Sequence, residues 1–158
     1  MSASQQTVEQ LLRDLFDLGD IHVRTDASDA LFRTDYTGNY GPPSFFSLHE
    51  HGFWLGLYSE QWRLFAKLDA VRRVRFVRGV VPPCIRPRPE EEEDLSVRLV
   101  GQNDDASLSF SFGRLYDEQG QPIAARFAQW EELRAKYGGR DELRVEEGRI
   151  ISLAEGEG

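Results

Sequence analysis

Residues 53–78 read FWLGLYSEQWRLFAKLDAVRRVRFVR, three β-type patterns in succession with almost no loop between them. Side chains of an extended chain alternate between two faces, so Phe53, Leu55 and Leu57 share one side and Trp54, Gly56 and Tyr58 the other. Both sides are partly apolar. After Ser59-Glu60-Gln61, residues Trp62, Leu64, Ala66 and Leu68 alternate with Arg63, Phe65 and Lys67, which gives a core-facing side and a mixed side. The two segments read as a hairpin. Leu68 to Val71 is expected to form a turn or short helix, and Arg73-Val74-Arg75-Phe76-Val77-Arg78 then alternates basic with apolar until Val80-Val81-Pro82-Pro83 stops it. With Val74 and Phe76 in the core, Arg73 and Arg75 project from the opposite face at a two-residue repeat, an arrangement that can hold an anion.

Upstream, Ser4 to Leu18 is the clearest helix. Val8, Leu11, Leu12, Leu15 and Phe16 form one stripe at helical spacing, Thr7 with Gln10 resembles a capping box, Ser4 offers an alternative cap, and Gly19 ends the run. Between Asp20 and Pro43 the pattern is weak: Ile21 to Arg24 fits a strand, Ala30-Leu31-Phe32 a buried turn of helix or strand, and Thr37 to Pro43 a loop by its turn residues. Ser44 to Leu48 resumes strand character, and His49-Glu50-His51-Gly52 connects it to the hairpin.

Downstream, the four prolines Pro82, Pro83, Pro87 and Pro89 and the acidic run Glu90 to Asp94 are expected to lie outside any sheet as an exposed connection. Leu95 to Val100 and Ser107 to Phe112 alternate as strands. Trp130, Leu133, Arg134 and Tyr137 space a helix over 128–137, with Ile123 to Phe127 as a short strand or its lead-in and Gly138-Gly139 as its stop. Leu143 to Val145 and Arg149 to Leu153 flank Glu146-Glu147-Gly148 as a terminal hairpin, followed by a polar tail over 154–158. One domain over 1–158 is the natural reading of this length.

Composition narrows the function. A net charge of −8 repels phosphate backbones and anionic lipid, so neither nucleic acid nor a membrane is an expected partner. A single cysteine, Cys84, forms no internal disulfide, and with no signal-type leader and no apolar run of about 20 residues the expectation is a cytoplasmic protein. Against the acidic whole, Arg72, Arg73, Arg75, Arg78, Arg86 and Arg88 cluster without a lysine among them. A solvated strand face is the plain reading of that cluster; the planar fork of arginine also suits a carboxylate or phosphate.

Phosphate-loop, dinucleotide and nucleophile-elbow motifs are absent from the chain. Of three histidines, His49 and His51 form a His-x-His pair that would place both imidazoles on one side of an extended segment, with Glu50 opposite. Two ligands fall short of a zinc site, whereas a haem iron needs one axial side chain. One helix layer covers one face of the hairpin, and the other face requires a second sheet, a partner subunit or a flat apolar ligand.

From about His51 to Tyr137 the order of elements resembles the haem-utilisation proteins of the ChuX/HutX and HemS type. The likeness is carried by Leu68-Asp69-Ala70-Val71-Arg72-Arg73-Val74-Arg75-Phe76-Val77-Arg78, the proline-containing loop, Leu95 to Leu99, the turn Asp117 to Gly120 and the helix around Trp130 to Leu133. The resemblance implies an α+β fold with a large antiparallel sheet and an N-terminal and a C-terminal helix packed on it, a homodimer, and haem held at the sheet surface. It further implies a histidine on the iron, for which His49 and His51 are the candidates, and basic side chains at the propionates, for which Arg73, Arg75 and Arg78 are. The expected activity is intracellular haem or tetrapyrrole binding, by sequestration or transfer instead of catalysis. The alternative is a dimeric interaction domain of the same fold without haem. An enzyme degrading haem follows from kinship alone.

Overall fold

Thr7 starts the first helix with a reciprocal capping box: its hydroxyl accepts the Gln10 N–H at 3.1 Å, and the Gln10 side chain accepts the Thr7 N–H at 3.1 Å. The helix therefore begins a turn later than the Ser4 alternative. In the computed structural model, which describes residues 5–27, 34–36, 43–58, 63–81, 83–86, 88–102 and 106–151, the elements follow in the order α1 (Val8–Asp17), β1 (Ile21–Ala27), β2 (Thr34–Tyr36), β3 (Ser44–Leu48), β4 (Gly52–Tyr58), β5 (Arg63–Lys67), β6 (Arg73–Val80), β7 (Glu93–Val100), β8 (Ala106–Phe112), α2 (Ala124–Lys136), β9 (Glu142–Glu146) and β10 (Arg149–Ile151). The expectations for Ala30 to Phe32, most of the 37–43 loop, Trp62 and the 154–158 tail lie outside the described residues.

The fold is α+β and antiparallel throughout, but the strands form two sheets. Seven pair in the order β10-β9-β6-β7-β8-β1-β2, and β3-β4-β5 make a separate three-stranded sheet. The hairpin of β4 and β5 is present as read, with Trp54 opposite Lys67 and Tyr58 opposite Arg63. A 3₁₀ turn at Leu68–Ala70 then carries the chain from the small sheet to the large one. Its Asp69 carboxylate accepts the Phe53 N–H at 2.9 Å, which pins the crossing to β4.

The large sheet is apolar on one face. Val74 and Phe76 on β6, Leu95, Val97 and Leu99 on β7, Phe110 and Phe112 on β8, and Ile21 and Val23 on β1 align through the strand registers and are buried. Both helices pack on this face. Trp130 of α2 meets Phe76 edge-on at 6.1 Å and its indole N–H donates to the Ser96 carbonyl at 3.1 Å. Phe16 of α1 meets Phe110 edge-on at 5.5 Å, while Arg13, on the same helix, lies 4.4 Å over the ring of Phe45 in β3. Helix α1 thus touches both sheets, and its Val8, Leu11, Leu12 and Leu15 join Leu55 and Leu57 of β4 in one core.

Two departures from the sequence reading have local causes. Helix α2 starts at Ala124 instead of 128, because Arg126 in its first turn belongs to the interior. The acidic run does enter a sheet: Glu93 and Asp94 pair with Val80 and Gly79, and Glu93 is neutralised by Arg78 at 2.8 Å.

Arg126 fastens three elements. Its guanidinium donates to the Leu18, Gly19 and Asp20 carbonyls after α1 and to the Gly113 carbonyl after β8, at 3.0–3.3 Å. Burial lowers its pKa, the Asp20 charge raises it, and Arg114 lowers it further. Between the helices, the Tyr137 hydroxyl donates to Asp14 at 2.6 Å, and Lys136 reaches the same carboxylate at 2.7 Å. Burial, then the bond and charge of Asp14, hold the Tyr137 phenol well above its ordinary pKa.

Arg126→Met would orphan these carbonyls and is expected to lower the unfolding free energy by about 2–4 kcal/mol in urea titrations; an unchanged midpoint contradicts the fastening role. Because Tyr137 stays neutral in the fold where unfolded tyrosine ionises, its contribution is complete below about pH 10 and declines as pH rises beyond that. Tyr137→Phe is expected to flatten this alkaline decline, and the same slope in both proteins would count against it.

Candidate functional site

The small sheet has an outer face that no described element covers. Strand alternation decides what it carries: Leu64 and Ala66 on β5, Leu55 and Leu57 on β4 and Phe45 on β3 turn inward, so Phe46, Leu48, Trp54, Tyr58 and Phe65 turn outward. The registers align them, with Phe46 opposite Trp54 and Gly56 opposite Phe65. Gly56 is the reason the rings can lie flat. A Cβ there would sit 2.7 Å from the Tyr58 hydroxyl and 3.1 Å from the Phe46 ring, so the bare backbone makes room for both. Phe65 stands edge-on to Phe46 at 6.1 Å and to Tyr58 at 5.8 Å.

Together with Ser44, Leu48 and Trp54 these rings line an open, mostly apolar hollow of about 650 Å³. That volume falls within the roughly 300–1,000 Å³ of small-molecule sites. The face is exposed to a degree unusual for large apolar groups: Phe65 retains 50%, Leu48 44% and Tyr58 37% of its surface. Arg63 and Lys67 flank Phe65 on β5 at the exposed positions of its alternation. The hollow therefore has an aromatic floor, and Arg63 and Lys67 are on the same face of the strand that carries Phe65.

His49 and His51 lie at its end, in the turn that follows Leu48. The extended geometry expected for this pair is not found: the His51 N–H donates to the Leu48 carbonyl at 2.9 Å, and Glu50 takes a left-handed φ of 69°, closing a tight turn. The Trp54 indole N–H donates to the His51 carbonyl at 2.7 Å, tying the turn to the hollow's wall. Both imidazoles are exposed. Among the described residues no three His, Cys, Asp or Glu side chains converge to hold a metal ion.

The arginines of β6 are elsewhere. Arg73 and Arg75 leave the sheet opposite Val74 and Phe76 as read, and both reach Glu142, at 3.3 and 3.0 Å. Arg78 has the opposite parity; it stands on the apolar face, bonded to Glu93 at 2.8 Å and 5.6 Å over the Phe127 ring. The structure thus divides the three arginines between two faces of the large sheet and brings none of them to the lining of the aromatic hollow. Sequence reading found Trp54 and Tyr58 but not the contribution of β3; the alternation Ser44-Phe45-Phe46-Ser47-Leu48 holds that signal. Compared with known proteins, the chain matches no family model and no curated protein.

Gly56→Ala is expected to preserve the far-ultraviolet circular dichroism while displacing the Tyr58 ring, changing the near-ultraviolet aromatic band, at a stability cost of about 1–3 kcal/mol. An unaltered aromatic band would show that Gly56 does not shape the hollow.

Proposed function

We propose that this chain binds a flat, doubly acidic tetrapyrrole of the haem class on the outer face of β3-β4-β5, for sequestration or transfer instead of turnover. The observation that carries the reading is the open aromatic hollow of about 650 Å³ with a two-histidine turn at its end. Phe46, Trp54 and Phe65 would meet the macrocycle, and offset or edge-on stacking favours such contacts. His49 or His51 would serve the iron, which needs one protein side chain. Arg63 and Lys67, on the same face of β5, would take the propionates in the role first expected of Arg73, Arg75 and Arg78.

The second reading is a homodimer in which two copies close this face against each other without haem. It draws on the half-exposed Phe65 and Leu48, since contiguous apolar surface of this kind marks interaction sites. Absorbance separates the two. On titration with haemin, a Soret band is expected to develop and saturate at one haem per chain; the double variant His49→Ala, His51→Ala is expected to shift or abolish it, and Phe65→Asp to weaken binding at least tenfold. A flat titration, with a haemin-indifferent dimer in sedimentation, would establish the second reading instead.

A further inference from the structure

The large sheet has a step in it where β9 begins. Strand β6 pairs with β7 along its whole length, Arg73 to Val80, but on its other side β9 covers only Arg73 to Arg75. The Phe76 N–H, donating to the Asp141 carbonyl at 2.8 Å, is the last bond of that ladder. Backbone groups of successive residues in a strand point to opposite sides. The Arg72 carbonyl accepts the Val145 N–H on the β9 side, and the Val81 N–H donates to the Glu92 carbonyl on the β7 side. The N–H and C=O of Arg78 and Val80 therefore point out over the step, and among the described residues no strand pairs with them there. Such a row of unpaired groups is a template for another strand.

There is room for one. Arg75 and Val77 from one face of β6, and Phe76 and Arg78 from the other, line a single hollow of about 410 Å³ together with Trp130 of α2 and the start of β9. A cavity can touch both faces of a strand only past its edge, so this hollow is the slot that continues the line of β9. Sheets commonly guard an open edge with charged side chains. Here Arg78 leans the other way, to Glu93 on β7 at 2.8 Å, and Val80 keeps 70% of its surface exposed.

We infer that this step docks an extended segment of a partner polypeptide, added antiparallel to β6 in line with β9. In the register that β9 sets, two alternate residues of the guest exchange both backbone bonds with Arg78 and with Val80. Paired residues carry their side chains on the same face, so these two lie on the face of Phe76 and Val80, one covering Val80 and the other entering the hollow beside Trp130. The residue between them is opposite Gly79 and turns to the polar face. The partner is thus a strand with apolar side chains at alternate positions. A second copy of this chain does not fit, because pairing two β6 edges about Gly79 drives the copy's chain beyond Val81 into Asp141, which already holds the Phe76 N–H. The step is on the other sheet from the aromatic hollow and is independent of it.

Amide signals of the ¹⁵N-labelled full chain, followed during titration with a capped hexapeptide that alternates valine with threonine, test the inference. The Arg78 and Val80 amides are expected to shift saturably and to exchange with solvent more slowly. Methylating the valine nitrogens of the peptide, which face β6 in this register, is expected to weaken binding about tenfold, while methylating the threonine nitrogens, which face away, leaves it unchanged. Val80→Pro removes an edge N–H and no bond to β7, so it is expected to weaken binding about tenfold with the β7 amide signals in place. No saturable response, equal weakening by the two methylated peptides, or a response centred on the small sheet would overturn the inference. So would a dimer in sedimentation that protects the Arg78 and Val80 amides without peptide, which would give the edge to a second copy.

Discussion

Burial of one face of α1 between two sheets is the constraint on which the arrangement depends. Val8, Leu11, Leu12 and Leu15 are fully buried, and each such side chain contributes about 1.5–3 kcal/mol relative to exposure. The capping box at Thr7 fixes where this stripe begins, and the Val8 N–H donates to the Gly148 carbonyl at 2.9 Å, so the β9-β10 turn sets the helix against the large sheet. On its other side the helix meets β3 through Arg13 and Phe45. One helix therefore packs on the inner faces of both sheets, and among the described residues nothing covers the outer face of the small one.

The two sheets follow from the same alternation applied to residues of opposite chemistry. On the small sheet both faces carry apolar groups, so filling the inner face leaves aromatic rings outside. On the large sheet the second face carries serine, arginine and histidine, so the filled apolar face leaves donors behind it. Gly56 and Gly113 do comparable things on the two sheets: each omits a Cβ where an aromatic or imidazole ring lies against the strand. An apolar hollow suits a planar organic guest.

What could be read from the sequence was what is local. The capping box, the β4-β5 hairpin, the inward Val74 and Phe76 and the β9-β10 hairpin each depend on neighbours within a few residues. The exchange of sheets at Leu68–Ala70 was not legible, because alternation states which face a residue takes and not which sheet its strand joins. Composition groups Arg78 with Arg73 and Arg75, but its odd separation from them puts it on the other face; its partners Glu93 and Glu131 come from β7 and α2. The role of Arg126 is not legible in the sequence, because three of the four carbonyls it serves lie more than a hundred residues away at Leu18 to Asp20. The serine repeat in Ser107-Leu108-Ser109-Phe110-Ser111-Phe112 was visible as a strand, but only the register with Ser96 and Arg98 makes it a cluster.

Hydrogen–deuterium exchange of the full chain with and without haemin tests the central claim most directly, that the outer face of the small sheet is the binding surface. Added protection is expected in residues 44–58 and 63–67, including the His49–His51 turn, with β6 and β7 unchanged. Protection confined to the large sheet, or no protection anywhere, would contradict it.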